Sequence, residues 1–144
     1  MTTGRLETAV GYVFADSGLL QTALTHRSHS SPHNERLEFI GDSILNCVIA
    51  LELFRRFPSL AEGEMSRLRA NLVRQETLHQ IAETLAIGQD LRLGEGEMKS
   101  GGNQRPSILA DAVEALIGAV HQDSDFVSAS RLVTALYKER LDAV

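Results

Sequence analysis

Apolar residues recur every three to four positions along almost the whole chain, and this period constrains the fold more than any other feature. Met65, Leu68 and Leu72 show it in one segment, and Leu78 and Ile81 continue it in the next. A period near 3.6 residues is that of an amphipathic α-helix. The strict alternation typical of a half-buried strand does not occur. The sequence therefore predicts an all-α protein.

Proline, glycine and short polar residues divide this pattern into segments. A 144-residue chain with 43% hydrophobic residues and no repeats predicts one domain with its own core. The Ser-rich segment 25–33 and the Gly-rich segment 93–106 predict loops, the second of them flexible. The predicted helices are a short one ending near Gly11, one capped by Asp16 or Ser17, then 34–56 and 61–74. A fifth is marked by Leu78, Ile81, Ala82 and Leu85 and stops near Gly88, and the last two are 107–122, capped by Ser107, and 126–141.

The single cysteine and the N-terminus bear on the compartment. Cys47 lies among Ile44, Leu45 and Val48, so we expect a buried, unreactive thiol. One cysteine allows no internal disulfide, and the segment MTTGRLETAV lacks the features of a signal peptide. No apolar run reaches the roughly 18 residues of a membrane span. We therefore expect a cytoplasmic protein without a membrane partner.

The segment NERLEFIGDS (34–43) places three carboxylates on a predicted helix whose apolar periodicity is otherwise typical of a core helix. At 100° per residue, Glu35, Glu38 and Asp42 fall within an arc of about 60°. A solvated face would account for them, but Gly41 lies mid-helix, where glycine costs about 1 kcal/mol relative to alanine. A glycine at that position predicts close approach of another helix or of a ligand.

The segment SILADAVEALIGAV (107–120) carries a second pair of carboxylates. Asp111 and Glu114 are its only charged residues, and their i, i+3 spacing places them on one face. A helix that is apolar on nearly all sides is buried, and a buried carboxylate requires a partner. Salt bridges to arginines such as Arg67 or Arg69 are one such partner, and a metal ion is another.

The two helices together favour a metal centre. If Glu38 and Asp42 meet Asp111 and Glu114, four close carboxylates cannot all ionise without a counter-charge. Oxygen ligands suit Mg²⁺ or Mn²⁺ rather than Zn²⁺. Mg²⁺ held by carboxylates activates water and stabilises the leaving oxygen in phosphate-ester cleavage. We therefore expect a metal-dependent phosphodiesterase.

The order of these motifs is similar to that of a known family. NERLEFIGDSIL resembles the signature of the ribonuclease III catalytic domain, and SILADAVEALIGAV resembles its second acidic motif. ALTHRS, EGEMSRLRANLV and LRLGEGEMKSGG also occur in the family's order, so the resemblance covers essentially the whole chain and is closest to bacterial ribonuclease III. It implies an all-α endonuclease that forms a homodimer and cuts double-stranded RNA with Mg²⁺, for which Mn²⁺ can substitute. The implied products carry 5′-phosphate and 3′-hydroxyl ends, as in the processing of ribosomal and messenger RNA.

The resemblance also assigns roles to residues. It implies that Glu38, Asp42, Asp111 and Glu114 surround the metal, with Asp42 and Glu114 as the catalytic residues. Glu38, Asp111 and Glu114 match the direct metal ligands. Phe39 matches an aromatic residue that inserts into a socket on the partner subunit, although an ordinary core position explains its spacing nearly as well. Two further acidic residues match family positions whose roles are open, Glu35 and Glu62.

Bacterial ribonuclease III continues into a double-stranded-RNA-binding domain, whose linker would begin near Val144. The resemblance therefore implies a catalytic domain over 1–144, with the RNA-binding domain absent from this chain. A net charge of −5 argues against a nucleic-acid partner, but much of the phosphate-binding charge would lie in the other domain. We expect some local cations to contact RNA phosphates and the A-form shape to be recognised, with ion pairs to acidic neighbours as the alternative for each cation. These cations are Arg67, Arg69, Arg74, Lys99 and Arg105.

Three other interpretations compete with this one. A non-catalytic scaffold on the same fold predicts loss of an acidic residue, and all four are present. A redox di-metal bundle needs two Glu-x-x-His motifs, and the chain has one, Glu76–His79. A zinc site built from His26, His29 and His33 would lie in a loop without cysteine ligands.

Overall fold

Eight α-helices and two 3₁₀ turns form the part of the chain that the computed structural model describes, residues 4–144. Residues 1–3, which the predicted domain 1–144 includes, lie outside it. The helices are α1 (Gly4–Val10), α2 (Ser17–Ala23), α3 (Glu35–Arg56), α4 (Glu62–Val73), α5 (Gln75–Thr84), α6 (Glu95–Lys99), α7 (Pro106–Asp123) and α8 (Phe126–Asp142). The 3₁₀ turns are Ile87–Gln89 and Gly102–Gln104. Within residues 4–144 the sole β-type pairing is one isolated bridge between Thr25 and Arg92, so the all-α prediction is confirmed.

Helix α7 forms the centre of the core because its sequence is apolar on nearly every side. All of its residues from 108 to 120 are buried except Asp111. Helices α2, α3, α5 and α8 pack around it, so an apolar surface without a polar face is covered from several directions. The predicted burial of this segment is confirmed. Across residues 4–144, no helix combines the length and the apolar character needed to cross a membrane.

Two glycines allow α3 and α7 to touch backbone to backbone. A Cβ atom on Gly41 would lie 2.6 Å from the carbonyl carbon of Glu114, and closer still to its oxygen. A Cβ atom on Gly118 would lie 2.8 Å from a methyl group of Ile40 and 3.0 Å from the carbonyl carbon of Leu37. Because protein interiors leave no room for such overlaps, the crossing requires glycine on both helices. The prediction that Gly41 marks the close approach of another helix is confirmed.

Of the two capping residues predicted from the sequence, the one before α2 is confirmed and the one before α7 is wrong. Asp16 caps α2, as predicted, because its side chain accepts a hydrogen bond from Gly18 N at 2.9 Å. Helix α7 begins at Pro106, and Ser107 lies inside the helix instead of capping it. Proline suits the first helical position because its φ is already helical and its missing N–H would have no partner there.

The segment 93–106, predicted as a flexible loop, contains α6 and the second 3₁₀ turn. The Glu97 carboxylate pairs with the Arg105 guanidinium across this segment. Gly94 N donates a hydrogen bond to Ser28 Oγ at 2.9 Å, which ties its start to the loop before α3. The prediction was wrong because glycine content reports backbone freedom and does not reveal the contacts that remove it.

Cys47 is exposed, although its sequence neighbours predicted a buried thiol. Ile44, Leu45 and Val48 face the core, while Cys47 lies on a solvent-exposed side of α3. Residues adjacent in a helical sequence point about 100° apart, so apolar neighbours do not imply burial.

Candidate metal centre

Three carboxylates converge where α3 and α7 cross. Glu38 on α3 and Asp111 and Glu114 on α7 each offer an oxygen, and these oxygens lie within 4.8 Å of one another. The i, i+3 spacing aligns the two α7 residues, and the contact at Gly41 brings Glu38 against them. Among residues 4–144 this is the one group of three or more side chains arranged to hold a metal ion. We refer to these three residues as the acidic cluster.

Asp42 lies beside the acidic cluster. Its carboxyl group is close enough to that of Glu114 to raise the pKa of Glu114. The Asn46 amide donates to the backbone carbonyl of Asp42 at 3.0 Å and reaches its Oδ1 at 3.5 Å. A cavity of about 400 Å³ opens at this side, lined by Asp42, Glu38, Ser43 and Glu114 among others. The four residues predicted to surround a metal therefore lie together, with Asp42 on the exposed side.

Burial and mutual repulsion oppose ionisation of the acidic cluster. Glu114 is only 8% exposed, and burial, followed by the hydrogen bond and charge of Asp42, raises its pKa to about 9. Burial and the charge of Asp111 raise the pKa of Glu38 to about 7. The pKa of Asp111 is also raised, chiefly by burial, while the nearby His26 opposes the shift. Without a cation the cluster therefore retains protons near neutral pH, and a divalent cation would displace them.

Among residues 4–144, no arginine pairs with Asp111 or Glu114 of α7. Within residues 4–144 neither Asp111 nor Glu114 forms an ion pair, so the alternative of salt bridges to Arg67 or Arg69 is wrong. A half-buried set of carboxyl oxygens without a cationic side chain is the donor set that a hard divalent cation prefers. The residues present therefore fit Mg²⁺ or Mn²⁺.

A cleft of about 460 Å³ extends from the acidic cluster toward the loop 25–33 and the segment before α7. Glu38, Asp111 and His26 all line this cleft. The sequence analysis weighs His26 as a zinc ligand and otherwise includes it only as part of the segment ALTHRS. Its proximity to Asp111 depends on contacts between distant segments, so helical periodicity does not reveal it.

Most of the cations predicted to contact RNA have acidic partners. The ion pairs are Lys99 with Glu95 at 3.0 Å, Arg74 with Glu76 at 3.5 Å, and Arg105 with Glu97. Arg67 and Arg69 on α4 have no such partner within residues 4–144. Of the five cations predicted to contact RNA, the two without an ion pair therefore lie on α4, and the two of segment 93–106 are both paired.

The remaining candidates lie outside the acidic cluster. Glu35 pairs with Arg27 at 3.4 Å, and Glu62 is exposed in the first turn of α4. Across the part of the chain described, the histidines of loop 25–33 form no metal-ligating group, and neither does the Glu76–His79 motif. The geometry therefore supports neither the zinc site nor the redox di-metal bundle.

One row of side chains on α3 is largely apolar and yet exposed. Phe39, Leu51 and Phe54 are 76%, 53% and 71% exposed, and Cys47 is exposed between them. Cys47 follows Phe39 by eight residues, Leu51 follows Cys47 by four, and Phe54 follows Leu51 by three. These spacings place the four side chains along one side of the helix. An ordinary core position for Phe39 is therefore excluded. A row of exposed large apolar side chains is typical of a protein interface, and we call these four residues the α3 stripe.

The family follows from comparison with known proteins. Residues 16–141 match the family model described as Ribonuclease-III-like. The chain belongs to the ribonuclease III family. Ribonuclease 3 of Thiobacillus denitrificans is 62% identical over 133 residues, which cover 92% of this chain and 59% of that protein. Ribonuclease 3 of Dechloromonas aromatica is 56% identical over 142 residues, covering 99% of this chain and 64% of that protein. The chain thus spans roughly three fifths of the length of these curated relatives.

Solved structures of the ribonuclease III family share the fold. The nuclease domain of ribonuclease III from Campylobacter jejuni gives a TM-score of 0.94 at 40% identity, covering 96% of this chain and 97% of that chain. That structure is described as flexible in a region involved in dimer formation. Dicer from Pichia stipitis gives a TM-score of 0.74 at 30% identity, covering 91% of this chain and 58% of that chain. The resemblance to ribonuclease III drawn from the motifs is confirmed.

Proposed function

We propose that this chain is the catalytic domain of an endoribonuclease that hydrolyses double-stranded RNA with a divalent metal ion. The observation that carries the proposal is the convergence of carboxylate oxygens from Glu38, Asp111 and Glu114 within 4.8 Å. Membership of the ribonuclease III family supports RNA as the phosphodiester substrate. The proposed cofactor is Mg²⁺, with Mn²⁺ as a substitute, because both favour oxygen ligands.

Each carboxylate has a proposed role in hydrolysis. Glu38, Asp111 and Glu114 hold the ion directly, and Asp42 completes its acidic surroundings. A divalent ion held by these residues would supply an activated water and would offset charge on the leaving oxygen. Asp42 and Glu114 line one cavity beside the acidic cluster, so this pair can take the proton that the attacking water releases and pass it to the departing 3′-oxygen. Attack on phosphorus with departure of the 3′-oxygen leaves 5′-phosphate and 3′-hydroxyl ends.

We propose that two copies of the chain associate through the α3 stripe. Its large apolar side chains are exposed in the single chain, and burial in a symmetric contact removes them from water. A cavity of about 640 Å³ lined by Phe39, Ile40 and Gln122, among others, adjoins the stripe and offers space for a partner side chain. A dimer carries two acidic clusters, which suits cleavage of both strands of a duplex.

The proposed biological role is the processing of structured RNA, including ribosomal and messenger RNA precursors, in the cytoplasm. Family membership supports the class of substrate. The single cysteine, which forms no disulfide within the chain, is compatible with a reducing compartment.

Cleavage of a long double-stranded RNA at low salt tests the proposed activity. We expect the chain to cut this RNA with Mg²⁺ and not with EDTA, and we expect Glu114→Gln to abolish cutting. Glu83→Gln is the matched control, since Glu83 is exposed on α5 and pairs only with His79. Cutting in EDTA, or equal cutting by the Glu114→Gln variant, would contradict the proposal. Absence of any cutting by the unaltered chain would contradict it as well.

A further inference from the structure

The loop that contains ALTHRS holds His26 in a fixed place beside the metal cleft. The backbone N–H of His26 donates to the Arg92 carbonyl at 2.9 Å, and Arg92 N donates to the Leu24 carbonyl at 2.8 Å. Two residues further on, Ser28 Oγ accepts a hydrogen bond from Gly94 N at 2.9 Å. The backbone is therefore anchored on both sides of His26, which restricts where its imidazole can lie.

Hydrogen bonds to the imidazole decide which of its nitrogens carries the proton. The backbone N–H of Ser28 donates to Nδ1 of His26 at 3.1 Å, and Ser28 Oγ lies 2.7 Å from the same nitrogen. Because a backbone N–H can only donate, Nδ1 is the acceptor, and the hydrogen of the neutral ring lies on Nε2. His26 therefore carries an N–H donor on the side of the ring away from Nδ1.

Most other donors that line the cleft already have acceptors. Their bonds are Arg27 to Glu35 at 3.4 Å, Arg105 to Glu97, and Asn34 Nδ2 to the Ala23 carbonyl at 3.2 Å. In contrast, Nε2 of His26 has no hydrogen-bond acceptor among residues 4–144, although the ring lies close enough to Asp111 to affect its pKa. The cleft therefore contains a positioned donor that the protein itself does not use.

We propose that His26 is a substrate-binding residue, which donates a hydrogen bond from Nε2 to a non-bridging phosphate oxygen of the RNA strand in the cleft. This inference rests on the proposed function. Phosphate oxygens accept hydrogen bonds and are the groups that proteins contact most often on nucleic acids.

Two substitutions separate the functions of the two ring nitrogens. Asparagine keeps an acceptor near the position of Nδ1, whereas glutamine extends an amide donor to about the position of Nε2. His29→Asn is the matched control, because His29 is an exposed histidine of the same loop whose Nδ1 contacts Ser30 Oγ at 2.6 Å. The equilibrium dissociation constant for a short duplex RNA is measured in EDTA at pH 8, where an ordinary imidazole is neutral. Values of kcat and KM are then measured with Mg²⁺.

We expect His26→Asn to weaken RNA binding and to raise KM by roughly tenfold, the effect of losing one hydrogen bond to a charged group. A contact to a phosphate that does not react leaves kcat nearly unchanged. His26→Gln should restore most of the affinity, and His29→Asn should match the unaltered chain. Mn²⁺ affinity without RNA, measured by calorimetry, should be the same in all four proteins.

The possible failures are distinguishable. Unchanged RNA affinity and KM in His26→Asn would overturn the role of His26 while cleavage by the unaltered chain upholds the nuclease. A fall in kcat at constant KM, or a loss of Mn²⁺ affinity, would also overturn it, because His26 would then act on the reacting group or on Asp111. An unaltered chain that neither binds nor cuts duplex RNA would overturn both the inference and the proposed function.

Discussion

Replacing Gly41 by alanine tests whether the close crossing of α3 and α7 creates the metal centre. Helix propensity alone favours this change by about 1 kcal/mol, since alanine is the better residue within a helix. Sterically, the new Cβ would lie 2.6 Å from the Glu114 carbonyl carbon and 3.0 Å from Gly118 N. Both are backbone atoms, which cannot rotate away as a flexible side chain can. The two helices must therefore separate.

The structure sets the size of the expected effect. Restoring ordinary contact requires a separation of roughly 1 Å at the Glu114 carbonyl carbon, and more at its oxygen. Overpacking of this kind costs about 1–3 kcal/mol, and more where backbone must move. We expect the free energy of unfolding of Gly41→Ala to fall by about 2 kcal/mol, because a steric penalty of about 3 kcal/mol is offset by about 1 kcal/mol of helix propensity. Mn²⁺ affinity should fall on the order of tenfold, because Glu38 and Glu114 approach from opposite helices.

Urea unfolding followed by circular dichroism measures the stability, and calorimetry measures Mn²⁺ binding. Gly63→Ala is the matched control, because Gly63 lies in α4 with no neighbouring atom closer than Arg67 Nη1 at 3.8 Å. This control should stabilise the protein by about 0.5–1 kcal/mol. If Gly41→Ala were as stable as the unaltered chain and bound Mn²⁺ equally well, the reasoning that links the crossing to the site would be refuted.

Three further predictions follow from the geometry. Because the pKa values of Glu38 and Glu114 are raised to about 7 and about 9, Mg²⁺ must displace protons, so its affinity should increase between pH 6 and pH 9. Calorimetry in buffers of different ionisation enthalpy should detect the released protons, and an affinity independent of pH would contradict the shifts. If the α3 stripe forms the dimer, Phe39→Ala should yield monomers in sedimentation and should speed the labelling of Cys47 by a thiol reagent. Equal labelling rates in both proteins would count against that interface. Ala86 has a φ of 53°, a left-handed backbone conformation that strains alanine but not glycine. Ala86→Gly should therefore raise the free energy of unfolding, measured in urea, by about 0.5 kcal/mol. A lower free energy of unfolding would contradict this.

Much of the fold and the cluster can be read from local sequence signals. Helical periodicity identifies the long helices because each buries one continuous face, or nearly all of its surface in α7. The i, i+3 pair Asp111 and Glu114 stands out because charge is rare on an apolar helix. Gly41 signals the crossing because glycine is unfavourable within a helix unless space requires it. Each of these signals lies within a few residues of chain.

Features that depend on contacts between distant parts of the chain cannot be predicted from local sequence signals. The order of segment 93–106 depends on the Glu97–Arg105 pair and on a bond from Gly94 to Ser28, and nothing in its composition indicates them. His26 lies beside Asp111 because a bridge between two loops places it there. The position of Asp42 outside the group of three oxygens depends on side-chain angles that spacing does not specify.

The dependence of RNA cleavage on Mg²⁺ concentration tests the central claim, that carboxylates at the helix crossing hold the ion that cleaves RNA. Single-turnover cleavage of duplex RNA is measured over a range of Mg²⁺ for the unaltered chain and for Asp111→Asn. Removing one ligand should shift the half-maximal Mg²⁺ concentration upward by about tenfold or more, while RNA affinity in EDTA does not weaken. Identical Mg²⁺ dependence in the two proteins, or cleavage that persists in EDTA, would contradict the account.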